Sequence, residues 1–244
     1  LHNPFRQGLN IYPDPDALAN SAAILFIDSF EKAVSEKGFF SALLSGGATP
    51  LHLYSLLSNE EYSGRVEWEK AHFFWGDERC VPPESPESNF TAANRSFLSR
   101  INIPPENIHR IKGELAPREA ASAYERELVS FFGLDDGADP PFDLALLGLG
   151  KDGHTLSLFP GTKALEETER LVVANHVPTL NAWRITLTFK AIERAKKVVF
   201  LVSGSEKAAV LKDVFDGKDL PAGRVRAKEL FWLADSEAAA LVSD

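Results

Sequence analysis

The sequence predicts an α/β fold, a three-layer sandwich built on a mostly parallel sheet. Three observations carry this. Apolar runs of strand type alternate with segments of helical periodicity along most of the chain. Three of those runs open directly into glycine turns, at Ser45-Gly46-Gly47, Trp75-Gly76-Asp77 and Gly148-Leu149-Gly150. The run Leu144-Ala145-Leu146-Leu147 lacks polar alternation, as a strand covered on both faces should. With 244 residues, 44% of them hydrophobic, the chain can fill a sizeable core, and one domain over residues 1–244 is expected.

The elements follow in order. Asp16 to Lys37 places Leu18, Ala22, Leu25, Ile27, Phe30 and Val34 along an amphipathic helix, which Gly38 is suited to end. Phe39 to Ser45 is a strand, and Pro50 suits the first turn of a helix through Leu57. Ala71 to Trp75 is the next strand, followed by the Pro82-Pro83-Glu84-Ser85-Pro86 loop. Helices are expected over Asn89–Arg100 and Pro117–Phe132, and Phe142–Leu147 is the central buried strand. Later strands fall at Leu171–Ala174, Arg184–Thr188, Lys197–Val202 and Leu230–Leu233. Helices near Ala191, at Ser205–Phe215 and at Ser236–Leu241 separate or follow them. There is no repeat or low-complexity segment, and the Pro and Gly loops are too short for interdomain linkers.

Composition narrows the function. The net charge of −9 argues against nucleic acid or an anionic membrane as the main partner. A small anionic ligand remains compatible, because a few local cations and amides override a distant acidic surface. No apolar run reaches the ~20 residues of a membrane span, and the N-terminus lacks a basic-then-apolar signal pattern. The single cysteine, Cys80, excludes an internal disulfide and fits a reducing, cytoplasmic setting. Methionine is absent, and composition does not explain why.

The loop Asp143–His154 is the strongest functional signal. An apolar strand ends in three glycines, with Asp152 and His154 among them. Glycine admits close backbone approach to a ligand, and histidine moves protons near neutral pH. Open α/β sheets bind ligands at such strand ends. A histidine buried for structural reasons is the competing account of His154. Ser45-Gly46-Gly47-Ala48-Thr49-Pro50 joins a strand to a helix and can cradle a phosphate, with Ser45 and Thr49 adding hydroxyls, or be an ordinary turn. It is not a Walker loop, since the Gly-Lys-Ser/Thr ending is absent. Arg79 can fork onto phosphate or carboxylate oxygens, or pair with Asp77 or Glu78. Arg184 and Lys207 are further cation candidates. Lys207 is expected in the first turn of a helix, the unfavourable end of the dipole for a cation, which points to a ligand.

Two other sites are rejected. Gly148–Gly153 fits G-x-G-x-x-G, but Phe159-Pro160-Gly161 stops any helix early and no acid closes the strand ~20 residues on. The other five histidines, His2, His52, His72, His109 and His176, show no ligand spacing, so neither a zinc site nor any other cofactor is expected. Glu166-Glu167-Thr168-Glu169-Arg170 reads as a solvated face.

Together, Leu44–Pro50, Trp75–Arg79 with Val81-Pro82 and Ser88-Asn89, Asp143–Gly161, and Arg184–Thr188 with Val199–Gly204 and Lys207-Ala208 resemble the 6-phosphogluconolactonase family. The order and spacing of these blocks agree over most of the chain. Leu156 departs from the family's usual small residue, and Asn181-Ala182-Trp183 from its Pro-containing lead-in to Arg184. The resemblance implies a Rossmann-like fold shared with sugar-phosphate isomerases and deaminases. It implies metal-independent hydrolysis of 6-phospho-D-glucono-1,5-lactone, a step of the oxidative pentose phosphate pathway, and points to His154 as the proton-transfer group. His154 would take a proton from water attacking C1 and return one to the ring oxygen, amides of the Gly148–Gly153 loop would hold the oxyanion, and Asp152 and Asp77 are the carboxylates nearest this chemistry. Ser45, Gly46, Gly47, Thr49, Arg79, Gly150, Gly153, Arg184 and Lys207 are the expected substrate and phosphate contacts.

Two alternatives stand beside it. Glucosamine-6-phosphate deaminases resemble this chain, but their pattern has a proton-shuttling glutamate before the closing Pro-Gly, where Phe159 stands here. A sugar-phosphate sensor would need a DNA-binding module, and no basic helix-turn-helix segment is present. Oligomeric state is not encoded in any of these motifs.

Overall fold

The structure is a computed structural model and describes residues 8–135 and 137–242. Its strands are β1 (Gly8–Tyr12), β2 (Phe40–Leu44), β3 (Ala71–Trp75), β4 (Asp77–Arg79), β5 (Ile108–His109), β6 (Leu144–Gly148), β7 (Val172–Val177), β8 (Ala182–Leu187), β9 (Lys197–Val202) and β10 (Glu229–Asp235). Its helices are α1 (Pro15–Lys37), α2 (Ala48–Leu57), α3 (Glu60–Ser63), α4 (Asn89–Ser96), α5 (Pro117–Phe132), α6 (Phe189–Glu193), α7 (Ala208–Phe215) and α8 (Pro221–Arg224).

Seven strands form one sheet in the order β1-β10-β9-β6-β2-β3-β5, every pair parallel, with helices on both sides. Covering both faces explains why β2 is buried at all five positions and why β6 is an unbroken apolar run. The chain winds outward from β2 to β3 and β5, then restarts at β6 and winds the other way through β9 and β10. β2 and β6 are neighbours in register, Ala42 beside Leu144 and Leu43 beside Ala145. Their carboxyl ends therefore diverge at the topological switch point, where such sheets leave a crevice.

Local signals explain the long helices. Asp14 caps α1 by accepting from the Ala17 amide at 2.8 Å, Pro15 opens it, and Gly38 ends it at φ 85°. Pro117 opens α5 and Gly133 closes it at φ 59°.

Several expectations are corrected. β4, β7 and β8 form a separate antiparallel sheet in the order β4-β8-β7, where the sequence suggested a glycine turn and two strands with no sign of a second sheet. Edge strand β1 and the two-residue β5 were not expected. α2 runs Ala48–Leu57 with Pro50 in its first turn, as the sequence indicated. The helix expected through Arg100 is α4 followed by a separate 3-10 turn at Leu98–Arg100. Lys207 ends a 3-10 turn at Ser205–Lys207 and caps α7. Ser236–Leu241 is a series of turns with bonds such as Ala239 N–H to the Asp235 carbonyl, 3.0 Å, and not a helix.

Candidate active site

The crevice is a cavity of about 820 Å³, lined by the loops after β2, β3, β6 and β9. Each loop brings a different chemistry.

The loop after β2 supplies amide hydrogens. Gly47 stands at φ 106° as the N-cap of α2 and has no side chain to cap it. The first amides of α2 thus keep their hydrogens for a ligand. The Ser45 hydroxyl oxygen is buried with no hydrogen-bond partner among the described residues. Its backbone is held by the Tyr54 hydroxyl, which accepts from the Ser45 amide at 2.9 Å and donates to its carbonyl at 3.0 Å. Burial drives that phenol far above its ordinary range, so it stays a donor.

Among the described residues, Arg79, Arg184 and Lys207 form no ion pair with a carboxylate. The Arg79 guanidinium donates to the Glu87 carbonyl, and neither Asp77 nor Glu78 pairs with it. Arg184 lies directly opposite Arg79 across β4 and β8, and its Nη1 donates to the Trp183 carbonyl at 3.0 Å. Like charges directly opposite each other are destabilising until an anion joins them. Lys207 has no ion pair among the described residues. Burial pulls its ammonium below the ordinary lysine range, with the charge of Glu206 opposing.

The loop after β6 presents His154. Its Nδ1–H donates to Asp152 Oδ1 at 2.5 Å, leaving Nε2 without a partner among the described residues. Burial pushes the Asp152 carboxyl up, but the hydrogen bond from His154 and its charge outweigh this, and the group lies below the usual range. Gly150 lets the imidazole lie close, since a Cβ there would stand 2.1 Å from Nδ1. The Gly150 and Gly153 amides are used inside the loop, donating to the His154 carbonyl (2.8 Å) and the Gly150 carbonyl (3.0 Å). Of the amides expected to face an oxyanion, these two are therefore occupied. The Lys151 amide has no acceptor among the described residues.

Behind this loop stands a buried polar scaffold. Asp77 accepts from Ser157 Oγ at 2.5 Å and from Asn89 Nδ2 at 3.3 Å. Glu78, 2% exposed, accepts from Ser88 Oγ and from the amides of Arg79, Asn89 and Phe90 at 2.7 to 3.0 Å. Its carboxylate thus closes the N-terminus of α4 and presses Asn89 onto Gly46, where a Cβ would meet Asn89 Oδ1 at 2.0 Å.

Ten expected site residues meet in the cavity: His154, Asp152, Asp77, Ser45, Gly46, Gly47, Thr49, Arg79, Gly150 and Lys207. Gly153 and Arg184 are outside its lining. Gly153, at φ 83°, packs against Leu220 and shapes the loop; Arg184 sits beside Arg79 on the second sheet. Asn89 and Leu180, neither expected as a substrate contact, also line the cavity, together with Pro15, His52 and Glu206. Ser88, whose Oγ caps α4 at 3.1 Å, was the available signal for Asn89. Nothing in the sequence marked Leu180. The Cys80 thiol is pushed up to about 11 by burial, which leaves no nucleophilic thiolate. Among the described residues, no three His, Cys, Asp or Glu side chains are grouped to hold a metal, and no helix is long and apolar enough to cross a membrane.

Known proteins resemble this chain in sequence and fold. The family model described as glucosamine-6-phosphate isomerases/6-phosphogluconolactonase matches residues 13–232. A 6-phosphogluconolactonase of Synechocystis sp. is 40% identical over 238 residues, covering 93% of this chain and 97% of its own. Another, of Nostoc sp., is 36% identical over 244 residues, covering 98% and 99%. The solved 6-phosphogluconolactonase from Trypanosoma cruzi superposes with a TM-score of 0.86 at 30% identity, covering 100% of this chain and 99% of its own. A monomeric glucosamine-6-phosphate deaminase shares the fold, with a TM-score of 0.80 at 21% identity over 96% and 99% of the two chains. The chain belongs to the glucosamine-6-phosphate isomerase/6-phosphogluconolactonase family.

Proposed function

We propose that this chain hydrolyses 6-phospho-D-glucono-1,5-lactone to 6-phosphogluconate, with His154 as the general base. One observation carries this: an imidazole with Nδ1 tied to a carboxylate and Nε2 open shares a cavity with Arg79 and Lys207, which form no ion pair with a carboxylate among the described residues. The names of the relatives support the same substrate.

The Asp152 carboxylate accepts the Nδ1 proton, so Nε2 carries the lone pair. Nε2 takes a proton from water as its oxygen bonds to C1 of the lactone. The carbonyl electrons move onto oxygen, and the Lys151 amide, which has no acceptor among the described residues, holds that charge. Collapse breaks the bond from C1 to the ring oxygen, which takes the proton from the imidazolium. The sugar acid then loses a proton to solvent. Asp77, with its oxygens engaged by Ser157 and Asn89, orients this loop rather than exchanging protons. Arg79 and Lys207, together with the first amides of α2, hold the 6-phosphate and keep C1 in register. Phe159 lines the cavity where the deaminase pattern has glutamate, which supports a lactonase over a deaminase. One continuous core spanning both sheets supports a single domain.

The test follows 6-phosphogluconolactone loss at neutral pH, corrected for spontaneous hydrolysis. Arg79→Ala raises KM for this substrate by at least about tenfold and leaves unphosphorylated gluconolactone nearly unaffected. Equal losses on both substrates defeat the phosphate assignment.

A further inference from the structure

The His154 imidazole is gripped at more than its Nδ1. The Phe159 ring lies against it, with centroids 4.0 Å apart and planes 27° from parallel. Only four residues lie between the two, so the chain must double back sharply. It does so at Thr155–Leu158, where the Leu158 amide donates to the Thr155 carbonyl at 3.0 Å. The turn places Leu156 at φ 54°, a left-handed conformation that costs a branched side chain energy. Leu156 is held there because its side chain fills the space over Gly76, where a Cβ would meet it at 2.4 Å.

The turn is also fastened to the second sheet. Ser157 donates from Oγ to Asp77 on β4 at 2.5 Å, and its amide donates to Thr186 Oγ1 on β8 at 3.1 Å. Its carbonyl accepts from Asn175 Nδ2 on β7 at 2.9 Å. All three antiparallel strands therefore hold one serine, three residues from the base.

We propose that Phe159 is a positioning residue: returned by this anchored turn, its ring fixes the plane of the His154 imidazole so that Nε2 meets the attacking water. The proposal rests on His154 being the base. Asp152 alone leaves the ring free to rock about the Nδ1 bond, whereas the stack removes that motion. The antiparallel sheet then serves catalysis without touching substrate, as the frame that carries the strained turn.

The experiment compares Phe159→Tyr and Phe159→Leu with the wild type in kcat, KM and the proton resonances of the His154 ring, assigned by their loss in His154→Ala. A face-to-face phenyl ring shifts those resonances upfield. Phe159→Tyr keeps the shift and keeps kcat within about twofold, while Phe159→Leu loses the shift and about tenfold in kcat with KM unchanged. Circular dichroism establishes folding, and Phe159→Met replaces the leucine variant should that one unfold. A folded leucine variant with full kcat overturns the proposal, as does a loss confined to KM or an unshifted wild-type resonance. An inactive wild type, or a fully active His154→Ala, instead overturns the functional reading on which the proposal stands.

Discussion

Gly150→Ala tests the site geometry through one methyl group. An added Cβ would stand 2.1 Å from His154 Nδ1 and 2.2 Å from Cε1, against 3.4 Å for ordinary contact. The imidazole must therefore withdraw by about 1.3 Å, since the methyl is fixed to backbone. A shift of that size breaks the 2.5 Å bond to Asp152 or swings Nε2 off the line of attack. Displacement of a reacting group by about 1 Å costs on the order of 10²-fold, so kcat should fall by about 100-fold. KM should change by less than about threefold, because Arg79 and Lys207 come from other loops. The fold should survive, since Gly150 does not adopt the left-handed backbone that alanine resists. The assay is lactone loss under saturating substrate, with circular dichroism on the same sample. A folded Gly150→Ala enzyme retaining more than about a third of wild-type kcat would refute the argument that ring placement limits the rate.

His154→Ala should keep its fold and substrate affinity while losing about 10²–10⁴-fold in kcat, measured by the same assay; near-normal turnover would move the base to a carboxylate. Glu78→Ala leaves three amides and a hydroxyl without their acceptor, so denaturant unfolding should show a loss of at least about 3 kcal/mol. The pH dependence of stability has a separate source, His72, pushed down to about 4 from 6.5 by burial and by the charges of His109 and Lys37. The unfolded chain takes up that proton first as pH falls, so stability is full above about pH 6.5 and is lost toward pH 4. Solvent screening limits the effect to about 1–2 kcal/mol, and His72→Phe should flatten that part of the profile in urea titrations.

Much of this molecule was legible before folding because its signals are local. Asp14 and Gly38 bound α1, and Gly133 ends α5, through hydrogen bonds to residues about one turn away, while Pro15 and Pro117 set the φ of each first turn. Largely apolar runs leading into glycine turns marked β2, β3 and β6, and a parallel sheet leaves its ligands at those ends. His154 stood out for that reason. The antiparallel sheet was not legible, because β4 is three residues long and is set apart from β3 only by Gly76. Short strands carry too few alternations to show which sheet they join, and pairing partners lie over a hundred residues away, as Asp77 with Thr186. Arg184 was expected in the cavity for want of that register. Asn89, the stack of Phe159 on His154 and the unpaired state of Arg79 and Lys207 likewise depend on loops from separate strands meeting. The sequence by itself determined which strand ends carry the chemistry, through capping, periodicity and glycine. Only tertiary packing decided how those side chains face one another, because contacts between distant segments are set by sheet order and register, which no local pattern records.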